Sequence, residues 1–404
     1  MNLSDVQIKN GWEKVKLKDI AQVVDSLHIT PTYADFGYPM VRVTDIKFGY
    51  LKINNCLKVD ESVYKEFSKK HIPTIGDLVF SRVGSLGITS YVGGNDKFCL
   101  GQNTAFIIPN IKNRFLYFWL TSSFGKSEID KKTTGSSQKT ISLESIKNLE
   151  ICLPSDTEQE NIAYVISRYD DLIENNEKRI KILESMAQKL YTEWFITNST
   201  SKNWQKVSLG NIAIVHRGKS YSSEDVKDVE GIPFVNLKCV NRYGGFRYDG
   251  LKAFSGGYKD SHVVKNGDIV MAVTDMTQER MIVARVARIP SLRGSFGVIS
   301  MDLVKIEPKE NTNKSWLYCF LRYSGLDDKL KNSANGANVL HLNPSRISEY
   351  ELSVPPFEVQ ESFANLVEKM LLLQERLLVE NRNLQRARDL LIPQLVSGKI
   401  LIKE

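Results

Sequence analysis

The sequence predicts an α+β protein in which two similar mixed α/β domains are joined and separated by two long helices, as a pseudo-two-fold internal repeat. Three observations predict this fold class: a gapless duplication, two long segments with helical periodicity, and short β-branched runs between turn residues. Residues 135–195 align with residues 336–396 at a constant offset of 201. A duplicated chain can present two similar surfaces, as a homodimer does. Such a pair suits a two-fold ligand, of which duplex DNA is the most common.

The duplication also covers shorter segments outside this alignment. Residues 12–21 match residues 204–213, and the Gly-Asp-Leu-Val of residues 76–79 matches the Gly-Asp-Ile-Val of residues 267–270. A chain of 404 residues is long enough for about two to three domains. We predict a first domain at residues 1–157, a first helix at 158–197, a second domain at 198–357 and a second helix at 358–404.

Two segments have the composition of long helices. Residues 136–209 contain no glycine and residues 155–232 contain no proline. Ser155 and Glu158 form the pattern of a capping box, so the first helix should start at about residue 156 and reach about residue 195. The second helix should run from about residue 358 to 396, with Gly398 as its C-terminal stop.

Apolar residues recur in both helices at alternating steps of three and four, which is the pattern of a coiled-coil seam. Polar seam residues such as Asn176 reduce stability but fix the register and the partner. We predict that the two helices pack on each other as an intramolecular antiparallel coiled coil; two unrelated amphipathic helices on separate domains are the alternative. The predicted seam residues are Ile166, Tyr169, Ile173, Asn176, Ile180, Leu183, Leu190, Leu377, Leu384 and Leu391.

The two domains should be mixed α/β, because short β-branched runs alternate with Gly, Asn and Asp turns. Residues 104–109 are one such run, and residues 300–306 are its counterpart in the second domain. A short helix should follow each of these runs, at about 115–122 and 316–323, and its aromatic residues should belong to the core. Elsewhere the copies diverge, as expected for one scaffold that carries two different binding surfaces.

Composition and charge place the chain among ordinary globular proteins. Apolar residues make up 42% and charged residues 25% of the sequence. Lys and Arg exceed Asp and Glu by 20 to 16 in residues 1–157 and by 22 to 16 in residues 198–357. The net charge of +7 therefore comes from the two domains, which is weak support for nucleic-acid binding. The five cysteines are scattered without a C-x-x-C pair, so buried reduced thiols are expected.

Known catalytic and metal-binding patterns are absent from the sequence. Val354 begins a Val-Pro-Pro-Phe segment, and methylation of an amine by the related motif needs Asn or Asp at that position. The Gly-Lys-Ser segments at 125–127 and 218–220 lack the glycine that starts a phosphate-binding loop. The five histidines lack the spacing of metal ligands. We therefore expect a non-catalytic protein without its own cofactor or metal. The polar N-terminus and the lack of an apolar run of about 18 residues favour a cytoplasmic location without membrane contact.

The whole chain resembles the specificity (S) subunit of type I restriction-modification systems. Gly135-Ser136-Ser137-Gln138, Leu153-Pro154 and the following Glu158-Gln159 carry this resemblance in the first half. The long string from Arg388 to Ile400 carries it at the end of the second helix. The chain differs from the family pattern at Val359, where glutamate is usual, and at Arg346, where a small residue is usual.

The resemblance implies two target-recognition domains, each of which reads one half of a bipartite, asymmetric site in double-stranded DNA. It implies that the helices set the distance between the domains and dock two methyltransferase (M) subunits. Motor-nuclease (R) subunits would join them for restriction. S-adenosylmethionine, ATP and Mg²⁺ would then be bound by these partner subunits, and adenine would be methylated on the M subunits.

Side-chain chemistry selects candidate DNA contacts, because recognition loops vary too freely to be carried over from the family. Arginine makes bidentate contacts to guanine, and asparagine or glutamine to adenine, whereas lysine, serine and threonine mostly contact phosphate. For each single residue a solvated surface side chain is the alternative. The candidates in the first domain are Arg82, Lys131, Lys132, Ser136, Gln138 and Lys139, and those in the second are Arg217, Lys219, Arg242, Tyr243, Arg247, Gln278, Arg280 and Asn338.

Two other functions fit the same features. The chain could be the recognition module of a related system that pairs with a combined methyltransferase-nuclease. It could also be a coiled-coil scaffold that binds only proteins. Salt-dependent binding to duplex DNA would distinguish the scaffold from both recognition functions.

Overall fold

The structure, a computed structural model, describes residues 11–111, 114–135, 139–197, 204–227, 231–277, 279–336 and 339–402. The chain divides into two compact units. The first unit comprises Met1–Asn175 and Asn383–Glu404, and the second comprises Asn176–Arg382. Each unit therefore combines one globular domain with a part of each long helix.

The first unit builds its domain from short strands and short helices. Asp60 and Ser122 begin two of these helices, because their side chains accept hydrogen bonds from backbone amides three residues later. The strands are β1 (Glu13–Lys16), β2 (Ala21–Asp25), β3 (Tyr38–Val41), β4 (Leu57–Val59), β5 (Leu78–Ser81), β6 (Thr89–Tyr91), β7 (Cys99–Leu100), β8 (Thr104–Pro109) and β9 (Glu150–Leu153). The short helices are α1 (Leu17–Ile20), α2 (Glu61–Phe67), α3 (Phe115–Thr121), α4 (Ser123–Lys131) and α5 (Leu143–Lys147).

The second unit repeats this plan with additional strands. Its strands are β10 (Gln205–Ser208), β11 (Ala213–Arg217), β12 (Val226–Lys227), β13 (Ile232–Val235), β14 (Lys252–Phe254), β15 (Val263–Lys265), β16 (Ile269–Ala272), β17 (Thr274–Asp275), β18 (Val286–Arg288), β19 (Phe296–Ile299), β20 (Leu303–Pro308), β21 (Leu340–His341) and β22 (Glu351–Val354). Its short helices are α7 (Leu209–Ile212), α8 (Lys314–Tyr323), α9 (Leu326–Lys331) and α10 (Pro344–Ser348).

The sheets of the two units share a common topology, to which the second unit adds β12, β15, β17 and β21. The antiparallel sheet β2-β8-β5-β6 of the first unit corresponds to β11-β20-β16-β18 of the second. A parallel pair, β3 with β7, corresponds to β13 with β19. The first strand of each domain pairs with its last, β1 with β9 and β10 with β22. The predicted internal repeat of two mixed α/β domains is therefore present in the fold.

The core of each domain lies between its antiparallel sheet and one aromatic helix. Residues 115–120 of α3 are all buried, as are residues 316–321 of α8. Burying one such aromatic or aliphatic side chain contributes roughly 1.5–3 kcal/mol. This confirms that the aromatic residues of these helices belong to the core. The five cysteines are free and buried, as the sequence predicted.

The two long helices are α6 (Asp156–Tyr191), which continues into a π-helical turn at Thr192–Ile196, and α11 (Phe357–Val396). The predicted capping box forms at the start of α6, where the amide of Glu158 donates to Oγ of Ser155 and its carboxylate accepts from the amide of Ser155, each over 3.4 Å. Gly398 follows α11 in the left-handed conformation, with φ +71°, as a C-terminal stop requires.

All ten predicted seam residues lie at buried or half-buried positions. Some apolar residues of the same helices that lie off the seam are exposed, as Leu172 (48%), Ile182 (59%) and Leu390 (71%) show. Others off the seam, such as Leu371 and Ile392, are buried, so the spacing predicts the buried seam but not every buried apolar residue.

Contacts between α6 and α11 occur within each unit. In the first unit Ile166 shares a buried cluster with Ile392 and Leu395. In the second unit Tyr191 packs against Phe363 with ring centroids 6.2 Å apart. No helix in the described part of the chain is long and apolar enough to cross a membrane.

Candidate nucleic-acid interface

In the first unit, two loops that were predicted separately lie side by side. The loop that follows β5 begins at Arg82, and the loop that follows α4 ends at Thr140. A β-bridge joins Val83 to Thr140, and a second bridge joins Thr134 to Thr140. The amide of Ile141 also donates to the carbonyl oxygen of Arg82 over 3.1 Å. The structure thus brings Arg82 together with the described residues of the basic loop, 131–135 and 139.

Arg82 is tied into this junction rather than extended into solvent. Its Nη1 pairs with Asp25 over 2.5 Å, and its Nε donates to the carbonyl oxygen of Ile141 over 3.3 Å. Its side chain is only 15% exposed. A contact between Arg82 and a base would require the pair with Asp25 to open, so in this structure Arg82 holds the two loops together.

Three lysines of the basic loop surround two carboxylates. Lys131 and Lys132 lie 3.3 and 3.8 Å from the buried carboxylate of Glu128. Lys139 lies 4.0 Å from Asp130, and both of these side chains are 64% exposed. The cluster keeps a net positive charge at an exposed loop, which suits phosphate contacts. The candidates Ser136 and Gln138 lie outside the described residues.

The second unit contains the equivalent pair of loops. The loop after β16 pairs with the segment after α9, because β17 and β21 form a two-stranded ribbon in which Thr274 faces His341. A further bridge joins Asn335 to His341, as Thr134 is joined to Thr140 in the first unit. The equivalent loops therefore meet in the same way in both domains, although their sequences differ.

Asp275 organises the exposed loop of the second unit. Its carboxylate accepts hydrogen bonds from the amide and hydroxyl of Thr277, both at 2.8 Å, and from the amides of Ile282 at 2.6 Å and Val283 at 3.2 Å. Asp275 itself is 2% exposed. Burial raises the pKa of Asp275, but the hydrogen bonds from Ile282, Thr277 and Val283 outweigh burial and hold the value below the ordinary one.

The loop that Asp275 closes contains the candidates Gln278 and Arg280. Arg280 has a positive φ of 52°, a conformation that is uncommon for a residue other than glycine and occurs often at binding sites. Met276, in the same loop, is 75% exposed. The candidates Gln278 and Asn338 lie outside the described residues.

Arg217 lines a cleft of about 410 Å³ beside this ribbon, together with Thr274, Met301 and His341. Arg217 ends β11 and is exposed. The backbone of Lys219 is hydrogen-bonded to β19, because its amide donates to the carbonyl oxygen of Ile299 over 2.8 Å. The structure therefore brings Arg217 and the segment at His341 to one cleft, and Lys219 lies next to two lining residues, Gly218 and Ser220, without lining the cleft itself.

Arg242, Tyr243 and Arg247 lie on a different loop, next to the long helix α6. Arg322 donates a hydrogen bond to the carbonyl oxygen of Tyr243 and lies 3.8 Å from Glu184 of α6. The Tyr243 side chain is 57% exposed. Arg247 pairs with Asp249, two residues away. These three candidates do not line the cleft that contains Arg217.

Sequence reasoning missed two residues that the structure places beside the candidate residues. His341 was considered only as a metal ligand, yet it lines the cleft and pairs with Thr274. Its position in the repeat, 201 residues after Thr140, could have shown this, because Thr140 closes the basic loop of the first domain. Asp275 was not among the residues selected from the sequence.

The two Gly-Lys-Ser segments have structural explanations. A Cβ atom at Gly125 would collide with the carbonyl oxygen of Trp119, and one at Gly218 with the carbonyl oxygen of Ser300. Close backbone packing therefore requires both glycines. Among the described residues no group of three or more His, Cys, Asp and Glu side chains could hold a metal ion.

Comparisons with known proteins agree with the duplicated fold. The family described as type I restriction modification DNA specificity domain matches the chain twice, at residues 9–185 and 201–377. The specificity subunit of the type I restriction enzyme MjaIX from Methanocaldococcus jannaschii is 26% identical over 436 residues, which cover 98% of this chain and 95% of that protein. The specificity subunit of the type I restriction enzyme HindI from Haemophilus influenzae is 22% identical, and the alignment covers 97% of this chain and 100% of that protein.

A solved structure shares the overall fold. The crystal structure of the type I restriction-modification S subunit from M. genitalium aligns over 100% of both chains with a TM-score of 0.57 at 15% sequence identity. The two matches to the family together span well over half of the chain. The chain belongs to the family of type I restriction-modification DNA specificity subunits, and it contains two recognition domains.

Proposed function

We propose that each domain reads one half of a bipartite, asymmetric DNA site through the pair of loops described above. The observation that carries this proposal is the repeated junction, in which Val83 meets Thr140 and Thr274 meets His341. One scaffold presents unlike loops at equivalent places, and two different half-sites require such an arrangement.

The two loop pairs offer different chemistry to DNA. In the first domain Lys131, Lys132 and Lys139 suit phosphate contacts, with Ser136 and Gln138 as further candidates on the same loop. In the second domain Arg280 and Arg217 suit contacts to base edges, with Lys219 on phosphate. Gln278 and Asn338 are the adenine-reading candidates of that domain. Arg242, Tyr243 and Arg247 would contact DNA from the neighbouring loop.

We also propose that α6 and α11 form one antiparallel coiled coil that separates the domains and docks two methyltransferase subunits. The polar and aromatic contacts between the two helices in each unit support this arrangement. The chain itself would be non-catalytic. S-adenosylmethionine, ATP and Mg²⁺ would be bound by the methyltransferase and motor-nuclease partners, and methyl transfer to adenine would occur there.

Exchange of one domain tests this function. Replacing residues 1–157 by the corresponding domain of another family member should change one half of the methylated sequence and leave the other half unchanged. Methylome sequencing of cells that carry the hybrid with its methyltransferase subunits would show this result. Changes in both half-sites would contradict independent reading.

Binding to duplex DNA distinguishes this function from a scaffold that binds only proteins. The chain with its methyltransferase partner should bind a duplex that contains the methylated site. The logarithm of the association constant should fall linearly with the logarithm of the salt concentration. Binding that is absent at low salt would favour the scaffold. A native complex with a combined methyltransferase-nuclease would identify the related system instead.

Arg280→Ala should weaken specific binding through the second half-site alone. A lost bidentate contact to a base costs roughly 1–3 kcal/mol, or about 5- to 150-fold in affinity. Glu279→Ala in the same loop is the matched control, and it should keep or raise affinity because it removes a negative charge near phosphate. Competition binding with duplexes altered in one half-site measures both variants. Arg280→Ala binding within about two-fold of wild type would exclude this contact.

A further inference from the structure

Two polar pairs interrupt the apolar seam between the long helices. In the second unit, Nδ2 of Asn176 donates to Oδ1 of Asn381 over 3.0 Å, and both side chains are buried. Oδ1 of Asn176 also accepts from Arg179 over 3.3 Å. In the first unit, Nη1 of Arg388 donates to Oδ1 of Asp170 over 2.6 Å. Each pair joins a polar residue of α6 to its complement on α11.

The asparagine pair has an apolar counterpart in the repeat. The residue 201 positions after Asn176 is Leu377, and the residue 201 positions before Asn381 is Ile180. Leu377 is buried and Ile180 is half-buried. The duplication therefore places two polar residues opposite each other at one level of the seam and two apolar residues at the equivalent level.

The charged pair follows the same rule. The residue 201 positions after Asp170 is Leu371, and the residue 201 positions before Arg388 is Ala187. Leu371 and Ala187 belong to one buried cluster of the second unit. A carboxylate and a guanidinium thus occupy one level, and a leucine and an alanine occupy its equivalent.

A second copy of this chain would offer each helix a very similar partner. If α6 paired with α6 of the second copy in the same antiparallel register, Asn176 would face Ile180 and Asp170 would face Ala187. If α11 paired with α11, the side chain of Asn381 would face a leucine, and so would that of Arg388. The buried side chains of Asn176, Asn381 and Asp170 would each lose the partner on the facing helix. The half-buried Arg388 would lose Asp170 and keep Asp389, the next residue of its own helix. Both losses oppose pairing.

We propose that these two polar pairs restrict α6 to pairing with α11 and exclude pairing of either helix with its own counterpart in a second copy of the chain. The duplication makes such pairing between copies possible, because α6 and α11 are similar and each could therefore pair with its own counterpart in a second chain. Pairing of a helix with its own counterpart would place polar residues opposite apolar ones, so only the pairing of α6 with α11 matches polar residues with polar residues. The proposal concerns helix pairing alone, so it does not depend on what the domains bind.

The chemistry of the two polar pairs indicates that they specify which helix is the partner and that they do not mainly stabilise the fold. Replacing a buried ion pair by apolar residues of similar volume is often neutral or stabilising. Burial raises the pKa of the Asp170 carboxyl in spite of the nearby Arg388 guanidinium, so removal of this carboxylate from water offsets part of its attraction to Arg388. A polar residue at a seam position is known to specify register and partner.

A full-length variant that makes the seam symmetric tests the proposal. Asn176→Leu, Asn381→Ile, Asp170→Leu and Arg388→Ala give both halves the same apolar levels. Wild type and variant are refolded from denaturant over a range of concentrations, and sedimentation velocity measures the dimer dissociation constant. We expect that constant to fall at least about a hundredfold in the variant, because four buried or half-buried polar groups no longer oppose pairing between copies.

Cross-linking identifies which helices pair. Lys178 lies between Asn176 and Ile180, so an antiparallel pair of α6 helices brings two Lys178 residues together. The variant is refolded as a mixture of ¹⁴N and ¹⁵N chains, and mass spectrometry scores mixed-isotope links between Lys178 and Lys178. These links should appear in the variant and be absent in wild type. Lys181→Leu with Gln385→Ile, at exposed positions of the same helices, controls for added apolar surface.

Equal dimer constants for wild type and the symmetric variant would overturn the proposal. So would a dimer in which α6 of one chain is linked only to α11 of the other, because the chain would then keep its pairing without the polar pairs. If the fourfold variant does not refold, the two double variants, one for each pair, provide the same comparison. Each should then show part of the increase in dimer and the same Lys178 links.

Discussion

Replacement of Arg288 by methionine is expected to destabilise the second unit by about 3–5 kcal/mol. Arg288 ends β18, and its guanidinium reaches two carboxylates that lie two turns apart on α11. Nη2 lies 2.6 Å from Glu368, and Nε lies 3.0 Å from Glu375. The Arg288 and Glu375 side chains are each 9% exposed. Without the guanidinium, the Glu375 carboxylate would remain buried without this partner, next to Glu368, which is 33% exposed. Leaving a buried charge without its partner is costly.

The loss of stability caused by Arg288→Met should depend on pH, because Glu375 titrates. Burial raises the pKa of Glu375 from 4.5 to about 7. Because this folded value lies above the unfolded one, the stability that Glu375 contributes is complete below about pH 4.5 and is lost as pH rises through 7. Loss of the Arg288 cation would raise this pKa further, so the variant should be weakened more at pH 8 than at pH 5.

Hydrogen exchange of peptides from β16, β18 and β20 measures this effect, with the equivalent strands of the first unit as an internal reference. Arg376→Met, at an exposed position of the same helix, should change stability by no more than about 0.5 kcal/mol. Glu375→Gln should remove the pH dependence between 5 and 8 and stabilise the unit above pH 7. A loss below about 1 kcal/mol that is the same at both pH values would contradict this account.

Much of the fold followed from the sequence because the determining signals are local or repeated. The capping box at Ser155 and the step of three and four along α6 depend only on nearby residues. The duplication then transferred each inference to the other half. The pairing of β3 with β7, or of β13 with β19, could not be predicted, since parallel contacts join segments that are far apart in sequence and have no short-range pattern.

The candidate interface residues were selected by residue type, and the structure brings only some of them together. Lys131 ends α4, and Lys132 and Lys139 lie on the segment that follows it, so residue type alone was sufficient to select a basic loop. Arg82 has the right chemistry, but its partner Asp25 lies 57 residues away, so a sequence pattern could not show that its guanidinium is already engaged. Asp275 was overlooked because a buried carboxylate that organises a loop looks like any other aspartate in the sequence.

Asp275→Ala is expected to abolish most of the discrimination at the second half-site while affinity for DNA of any sequence is largely kept. The substitution removes the acceptor for the amides of Ile282 and Val283. Both amides would then lack a partner inside the protein, which costs about 1–3 kcal/mol for each group left buried. The loop that carries Arg280 should therefore leave its present conformation. A contact to a base depends on this conformation more than a contact to phosphate does, so discrimination should fall by roughly 10- to 100-fold.

Methylation of duplexes with single changes in one half-site measures this discrimination. The reciprocal variant, Ser81→Ala, provides a matched control, because the hydroxyl of Ser81 accepts from the amide of Ile88 over 3.0 Å and so orders the equivalent loop of the first domain. Asp275→Ala should affect only the second half-site and Ser81→Ala only the first. Asp275→Asn keeps one acceptor oxygen and should restore part of the discrimination. If Asp275→Ala lowered thermal stability but left discrimination at both half-sites unchanged, the Asp275 loop would not be the reading element of the second domain.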